Sequence, residues 1–336
     1  MRATLSVVIP VYNEEAGLTA LYERLYPALD QLNRQYEVIF VDDGSSDRSV
    51  AMLREQFQKR PDVTRVVVLA RNAGQHMAIL AGFAQTRGDY VVTLDADLQN
   101  PPEEIAKIIA AMDDGADYVG TIRARRHDVY WRKAASRMMN RIRERTTQIS
   151  ITDQGCMLRG YHRNIVEAIN RCLEVSTYVP ALGYTFARHP IEIEVAHAQR
   201  QAGQSKYSLY RLIRLNFDLM TGFSVAPLQF FTMAGTALAM CSLLFVAFLA
   251  IRRLVVGPEA EGVFTLFGIA FFLIGVLLVG LGVVGEYVGR IYEQVRQRPR
   301  YMVAAVLEEG DDSTQRMRLP HTDPQQHSSH SAGGVE

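Results

Sequence analysis

Two stretches of this chain carry no charged residue: 228–251, LQFFTMAGTALAMCSLLFVAFLAI, and 262–285, GVFTLFGIAFFLIGVLLVGLGVVG. Coiled as α-helices at about 1.5 Å per residue, each would run about 36 Å, enough to cross the hydrocarbon of a bilayer. A pair of buried core helices is a poor alternative, because globular helices of this length carry a polar face. The pattern predicts two membrane spans. Between them, Arg252 to Glu261 contains Gly257-Pro258 and reads as a tight hairpin, so both outer ends of the pair face the same side. Arg290, Arg296, Arg298 and Arg300 follow the second span, and Lys206, Arg211 and Arg214 precede the first. By the positive-inside rule, the large N-terminal part and both termini are expected in the cytoplasm.

The spans explain why the averages look bland. A mean hydropathy of −0.02 hides two apolar segments in an otherwise polar chain, and 36 basic against 36 acidic side chains leave no global field for nucleic acid. The N-terminus, MRATLSVVIPVYNEE, has too short an apolar run for a signal peptide. Three cysteines, with Cys241 inside a span, suggest no disulfide framework. The segment 308–336 is acidic and then rich in His, Ser, Gln and Gly, and is expected to be disordered.

Ahead of the spans, short β-branched runs at Leu5–Val11, Glu37–Val41, Val63–Leu69 and Tyr90–Leu94 alternate with segments of helical spacing. This alternation predicts a parallel sheet covered by helices, a Rossmann-like α/β domain over 1–200. Such sheets bind ligands at the carboxyl ends of their strands. The polar clusters fall there: Pro10-Val-Tyr-Asn-Glu-Glu after the first strand, Asp42-Asp-Gly-Ser-Ser-Asp after the second, and Asp95-Ala-Asp-Leu-Gln after the fourth. Singly, Asp-Gly-Ser-Ser-Asp is a turn leading to a helix N-cap, and Asn100-Pro-Pro-Glu-Glu an N-cap with acids in the first helical turn. Local capping does not account for several carboxylates converging on one edge, where like charges repel. A divalent cation, Mg²⁺ or Mn²⁺, would relieve that repulsion, with Asp95, Asp97 and the Gln99 carbonyl as hard oxygen ligands.

Charge is also unevenly spread. Residues 1–122 hold 11 basic and 18 acidic residues, whereas 123–145 hold nine basic and two acidic. Lys133, Arg137, Arg141 and Arg145 recur every fourth residue as one helical stripe, beside an apolar one of Trp131, Ala135, Met138 and Ile142. Next to two spans, this reads as a basic amphipathic helix against an anionic membrane interface. Arg200 and Lys206, in a Gly- and Ser-containing stretch, could close over phosphates, and 201–227 reads as that lid followed by an interfacial helix (Leu209, Leu212, Ile213, Phe217, Met220). The span pair over 228–285 is then followed by a juxtamembrane segment, 286–307.

Taken together, Pro10-Val-Tyr-Asn-Glu, Val41-Asp-Asp-Gly-Ser-Ser-Asp, Leu94-Asp-Ala-Asp-Leu-Gln-Asn-Pro-Pro-Glu, Asp153-Gln-Gly-Cys-Met-Leu-Arg and Gly203-Gln-Ser-Lys-Tyr-Ser resemble the family 2 inverting glycosyltransferases that load a sugar onto polyprenyl phosphate. The likeness covers about residues 4–305, and overall it is greatest to the branch that handles 4-deoxy-4-formamido-L-arabinose in lipid A modification and polymyxin resistance. It implies a GT-A fold, a UDP-sugar donor, an undecaprenyl phosphate acceptor, a homotetramer and a place in the bacterial inner membrane. It also implies that Pro10, Tyr12, Glu14, Asp42 and Asp43 hold the nucleoside and that Asp95, Asp97 and Gln99 hold the metal. Arg123 and Arg137 would meet the lipid phosphate, Arg200, Ser205 and Lys206 would belong to the mobile loop, and Asp153 would occupy the position usually named catalytic base. The Gln-x-x-Arg-Trp motif of processive polysaccharide synthases is absent, the only tryptophan being Trp131, which argues against polymer extrusion. The same class with UDP-glucose or UDP-N-acetylglucosamine, a nucleotidyltransferase and a non-catalytic membrane scaffold are the competing readings.

Overall fold

Why the N-terminal part folds as it does is visible in its strands. β1 (Leu5–Val11), β2 (Tyr36–Asp42), β3 (Thr64–Leu69) and β4 (Tyr90–Thr93) are rich in β-branched residues, and Val38, Ile39, Phe40 and Val41 are all fully buried. Consecutive buried residues mean that both faces of the sheet are covered, as parallel sheets require. The computed structural model describes residues 4–123, 151–153, 155–172, 178–196, 226–256, 263–296 and 298–309. These fall into two compact units, one of residues up to 196 together with 298–309, the other of 226–296.

In the first unit, β1 pairs in parallel with β2 and β4, and β2 with β3, as the sequence predicts. The full sheet is larger and mixed, in the order β7-β5-β6-β4-β1-β2-β3-β8, which corrects the expectation of a purely parallel one. β6 (Arg159–His162) runs antiparallel to both β4 and β5 (Tyr118–Arg123), while β7 (Pro190–Val195) is parallel to β5. Since β6 opposes both neighbours, β5 points the same way as β4, and the carboxyl ends of β1 to β5 share one edge.

Helices α1 (Leu18–Asp30), α2 (Ser49–Lys59), α3 (Gln75–Phe83) and α4 (Ile105–Asp113) follow β1 to β4, and α5 (Arg163–Arg171) and α6 (Val179–Phe186) come later. α1 puts Leu18, Leu21, Leu25 and Leu29 at helical spacing into the core, all at 0% exposure. At about 1.5–3 kcal/mol per fully buried side chain, that stripe alone supplies enough to dock the helix. Instead of a helix capped by Asn100, the Pro-Pro-Glu-Glu segment forms a 3₁₀ turn (Pro102–Glu104) before α4 without a side-chain cap. Asn100 is buried and its side chain accepts from Cys156 Sγ, so the residue is used inward.

The segment 286–307 does not form one juxtamembrane piece. Val303–Leu307 forms β8, antiparallel to β3 at the sheet's edge, and Glu308 pairs with Arg65 (3.3 Å) and Arg87 (2.8 Å). An open edge strand is a liability, and β8 covers it.

The second unit contains α7 (Ala226–Val256) and α8 (Val263–Val295), longer at their C-terminal ends than the uncharged stretches. Arg252 and Arg253 are therefore helical and not part of the hairpin; 257–262 lies outside the described residues. Within α8, Ile269–Tyr292 is long and apolar enough to cross a membrane. Apolar side chains on both helices stand open, Phe230 at 76%, Leu254 at 88% and Leu277 at 68% exposure. Phe231 of α7 lies against Gly280 of α8, where no Cβ would fit.

Candidate functional site

The edge that collects the carboxyl ends of β1 to β5 is built from loops stitched to one another. After β1, Asn13 takes a left-handed backbone (φ 54°), which asparagine tolerates better than most residues. Its Oδ1 accepts from Ser46 N (2.8 Å), its N–H donates to Ser45 Oγ (3.0 Å), and Glu14 N–H donates to Ser49 Oγ (3.0 Å). Tyr12 projects from this loop half exposed, and Pro10 sits within the end of β1. The expected turn after β2 is present, with Asp47 Oδ1 accepting from Ser49 N at the start of α2 (2.9 Å).

The paired aspartates of that turn part ways. Asp42, fully buried, accepts from Gly44 N (3.1 Å) and Ser45 N (3.0 Å) through Oδ2 alone, leaving a buried Oδ1 without a hydrogen-bond partner. Such an acceptor is costly unless something donates to it. Both oxygens of Asp43 are instead used on the β3–α3 loop, accepting from Ala73 N (2.7 Å) and Gly74 N (2.9 Å). Burial pushes the Asp43 carboxyl up from its ordinary range and the charge of Asp42 adds to this, against the pull of the two N–H groups.

After β4, Asp95 and Asp97 lie on a tight turn whose next residue, Leu98, has φ 57°, an uncommon conformation for a residue with a branched, bulky side chain. Asp97 Oδ1 accepts from Gln99 N (3.1 Å), and Asp95 Oδ1 accepts from Gln75 Nε2 (2.6 Å). Burial first, and then the negative charges of Asp97 and Glu14, raise the Asp95 carboxyl to about 7 against the pull of Gln75 and Arg123. Several negative groups are thus held against one another at the strand ends. Two carboxylates within one turn are a donor set suited to a hard divalent cation. Among the described residues no group of three or more His, Cys, Asp and Glu side chains gathers closely enough to hold a metal alone.

Beyond β5, Arg123 and Asp153 form a bidentate ion pair, Nε to Oδ2 at 2.6 Å and the terminal nitrogen to Oδ1 at 2.7 Å. Gly155 N also donates to Asp153 (3.1 Å), and the Asp153 carbonyl accepts from Arg159, which is fully buried. Arg159 further donates to Tyr118 Oη (2.6 Å) and Cys156 O (2.9 Å), fixing the strand-entry loop that carries Asp153.

Of the residues predicted from sequence, Pro10, Tyr12, Glu14, Asp42, Asp43, Asp95, Asp97, Gln99, Arg123 and Asp153 are all placed on this edge and its loops. Arg137, Arg200, Ser205 and Lys206 lie outside the described residues. Sequence reasoning found clusters after the first, second and fourth strands and none after the third. It missed Asn72-Ala-Gly-Gln75, whose glycine and amide before a helix were the available signal.

A family model described as Glycosyl transferase family 2 matches residues 6–169. Two curated relatives are similar over nearly the whole chain: one from Serratia proteamaculans (strain 568), 51% identical over 307 residues, covering 91% of this chain and 94% of the relative, and one from Edwardsiella ictaluri (strain 93-146), 50% identical over 305 residues, covering 90% and 94%. The chain belongs to glycosyl transferase family 2, and its mixed sheet with flanking helices is a GT-A glycosyltransferase fold. Both relatives bear the name undecaprenyl-phosphate 4-deoxy-4-formamido-L-arabinose transferase. Among solved structures, glucosyl-3-phosphoglycerate synthase from Mycobacterium tuberculosis in complex with Mn²⁺, UDP and glucosyl-3-phosphoglycerate is 17% identical, with a TM-score of 0.46 over 65% of this chain and 78% of that one.

Proposed function

We propose that this glycosyltransferase moves 4-deoxy-4-formamido-L-arabinose from its UDP-sugar to undecaprenyl phosphate, with inversion and with the help of Mg²⁺ or Mn²⁺. The observation that carries the chemistry is the set of opposed carboxylates, Asp95 beside Asp97 and Glu14, at the carboxyl edge of the sheet. The choice of sugar and acceptor rests on relatives of that name being about half identical along nine-tenths of the chain.

In this reading the orphaned Oδ1 of Asp42 accepts an N–H of the nucleobase, as a buried acceptor left open by its own loop is fitted to do. Tyr12, exposed at the rim, would complete the nucleoside site with Pro10, Glu14 and Asp43. Asp95, Asp97 and Gln99 would hold the cation, which when bound supplies positive charge to the leaving diphosphate. Arg123, pinned in a fixed direction by Asp153, serves the acceptor phosphate together with Arg137, Arg200, Ser205 and Lys206. A sugar hydroxyl acceptor would need a base to remove its proton. A phosphate monoester, with a second pKa of about 6, already attacks as a dianion near neutrality, so Asp153 is assigned to orientation.

The second unit is proposed as two membrane spans, α7 and α8, entered through an interfacial helix in 201–227, with the catalytic domain of 1–200 and both termini on the cytoplasmic side. The length of the helices and the exposure of Phe230, Leu254 and Leu277 support this, since such surfaces are stable only when covered by lipid or protein. Assembly as a homotetramer in the bacterial inner membrane is part of the same reading and rests on the family resemblance.

The test is a product analysis. Purified full-length protein is given undecaprenyl phosphate, Mn²⁺ and a mixture of UDP-sugars, and the lipid product is weighed by mass spectrometry, with Asp97→Asn as control. A lipid carrying the formamido-arabinose, absent with Asp97→Asn or with chelator, is the expected product. Transfer of glucose or N-acetylglucosamine, or product independent of metal, would overturn the assignment.

A further inference from the structure

The loop after β3 offers a residue that nothing above assigns. Asp43 spends both carboxylate oxygens on the backbone of Ala73 and Gly74 (2.7 and 2.9 Å), and its own N–H is tied to Val11 O (2.8 Å). The loop is drawn in so closely that a Cβ on Gly44 would stand 2.6 Å from Asn72 N. Gly74 then takes φ +96°, a conformation that side chains resist, and α3 begins at the next residue. That residue is Gln75, and its amide Nε2 reaches Asp95 Oδ1 at 2.6 Å.

We infer that Gln75 is a positioning residue for the metal site: delivered by the grip of Asp43 on the β3–α3 loop, its amide holds one oxygen of Asp95 and leaves the other turned toward the cation. The inference rests on the reading of Asp95 and Asp97 as metal ligands. The chemistry of the side chain argues for it. A lysine or arginine at this place would offer Asp95 a full counter-charge and compete with the cation, and a glutamate would add to the repulsion. A neutral amide donates one hydrogen bond and does neither. The path also gives the second aspartate of Asp42-Asp43 work distinct from the first: Asp42 keeps an acceptor open, whereas Asp43 sets a loop.

The experiment uses full-length protein in detergent with Mn²⁺ as the probe, titrated in the presence of UDP and followed by the loss of the free-ion electron paramagnetic resonance signal. Gln75→Leu and Gln75→Met remove the donor at similar bulk, and Asp97→Asn serves as the ligand control. UDP affinity in EDTA and the melting temperature are measured alongside. Loss of a hydrogen bond to a ligating group typically weakens metal binding about 10- to 100-fold, so both Gln75 variants should bind Mn²⁺ about tenfold or more weakly while metal-free UDP affinity and melting stay at wild-type values. A smaller change in Mn²⁺ affinity, or a parallel fall in metal-free UDP affinity, overturns the positioning role even where Asp97→Asn abolishes binding. Wild-type protein that takes up no Mn²⁺ with UDP removes the metal reading and this inference together.

Discussion

The family resemblance implies a catalytic base at Asp153, yet its carboxylate is 3% exposed and bound to Arg123 through two short hydrogen bonds of 2.6 and 2.7 Å. If it acts by aiming Arg123, replacing it with asparagine has a calculable cost. The amide keeps one acceptor and turns its NH₂ toward a guanidinium that has nothing to accept with. One of two charge-assisted bonds is lost and the survivor weakened, about 2–4 kcal/mol at 1.5–3 kcal/mol each. At about 1.4 kcal/mol per factor of ten, kcat/KM for sugar transfer should fall about 30- to 1,000-fold.

The discriminating assay is a double-mutant cycle in steady-state transfer to undecaprenyl phosphate: Asp153→Asn, Arg123→Gln and both together. A residue acting through Arg123 has little left to lose once Arg123 is gone, so the double variant should lie within a few-fold of the worse single one. Asp97→Asn should lose more than Asp153→Asn, because on the proposed reading it removes a cation ligand. Losses that multiply in the double variant, or an Asp153→Asn enzyme that is dead while Asp97→Asn keeps substantial rate, would refute the orienting role and restore Asp153 as a proton acceptor.

Three further outcomes follow from particular contacts. Asp42→Leu removes the open acceptor and should weaken UDP about 10- to 100-fold in calorimetric titrations, the cost of about 1–3 kcal/mol for leaving a buried polar partner unmatched. His76, whose Nδ1 is buried without a partner, is depressed to about 4 by burial and by the nearby positive charge of Arg159. The unfolded chain therefore takes up a proton near its ordinary 6.5 before the folded one does, and this contribution to stability, present above about 6.5, is lost as pH falls toward about 4. Thermal melts of wild type minus His76→Phe should show that slope, and a flat difference would contradict it. Arg137→Ala should raise the apparent KM for undecaprenyl phosphate more than that for the UDP-sugar, and equal effects would take Arg137 out of the acceptor site.

What was legible in the sequence is what leaves a local signature. Absence of charge over 228–251 and 262–285 locates the two long helices, and β-branched runs locate β1 to β4, because both signals are written in consecutive residues. β6 carries no such signature: Arg159-Gly-Tyr-His contains no β-branched residue, and it enters the sheet because Arg159 and Tyr161 are buried among partners remote in sequence. β8 is an apolar run, but only its pairing with β3 and the contacts of Glu308 with Arg65 and Arg87 reveal that a segment so late in the chain closes the first sheet. Pairing across such distances is set by burial and register, which no window of sequence contains.

The same limit governs the site. Carboxylates at the ends of parallel strands are countable from sequence, and their mutual repulsion is a sound reason to expect a cation, but counting treats them as equivalent. The contacts sort them. Asp43 is answered by two backbone N–H groups, Asp153 by a guanidinium, and Asp42 through one of its oxygens. Asp95 faces the negative charges of Asp97 and Glu14 with a neutral amide from Gln75, and the Arg123 guanidinium that opposes them is shared with Asp153. Held by the neutral Gln75 amide and the Gln99 N–H, the Asp95-Asp97 turn presents hard oxygens from a fixed frame on the edge where the strands end, a donor set of the kind a divalent cation takes.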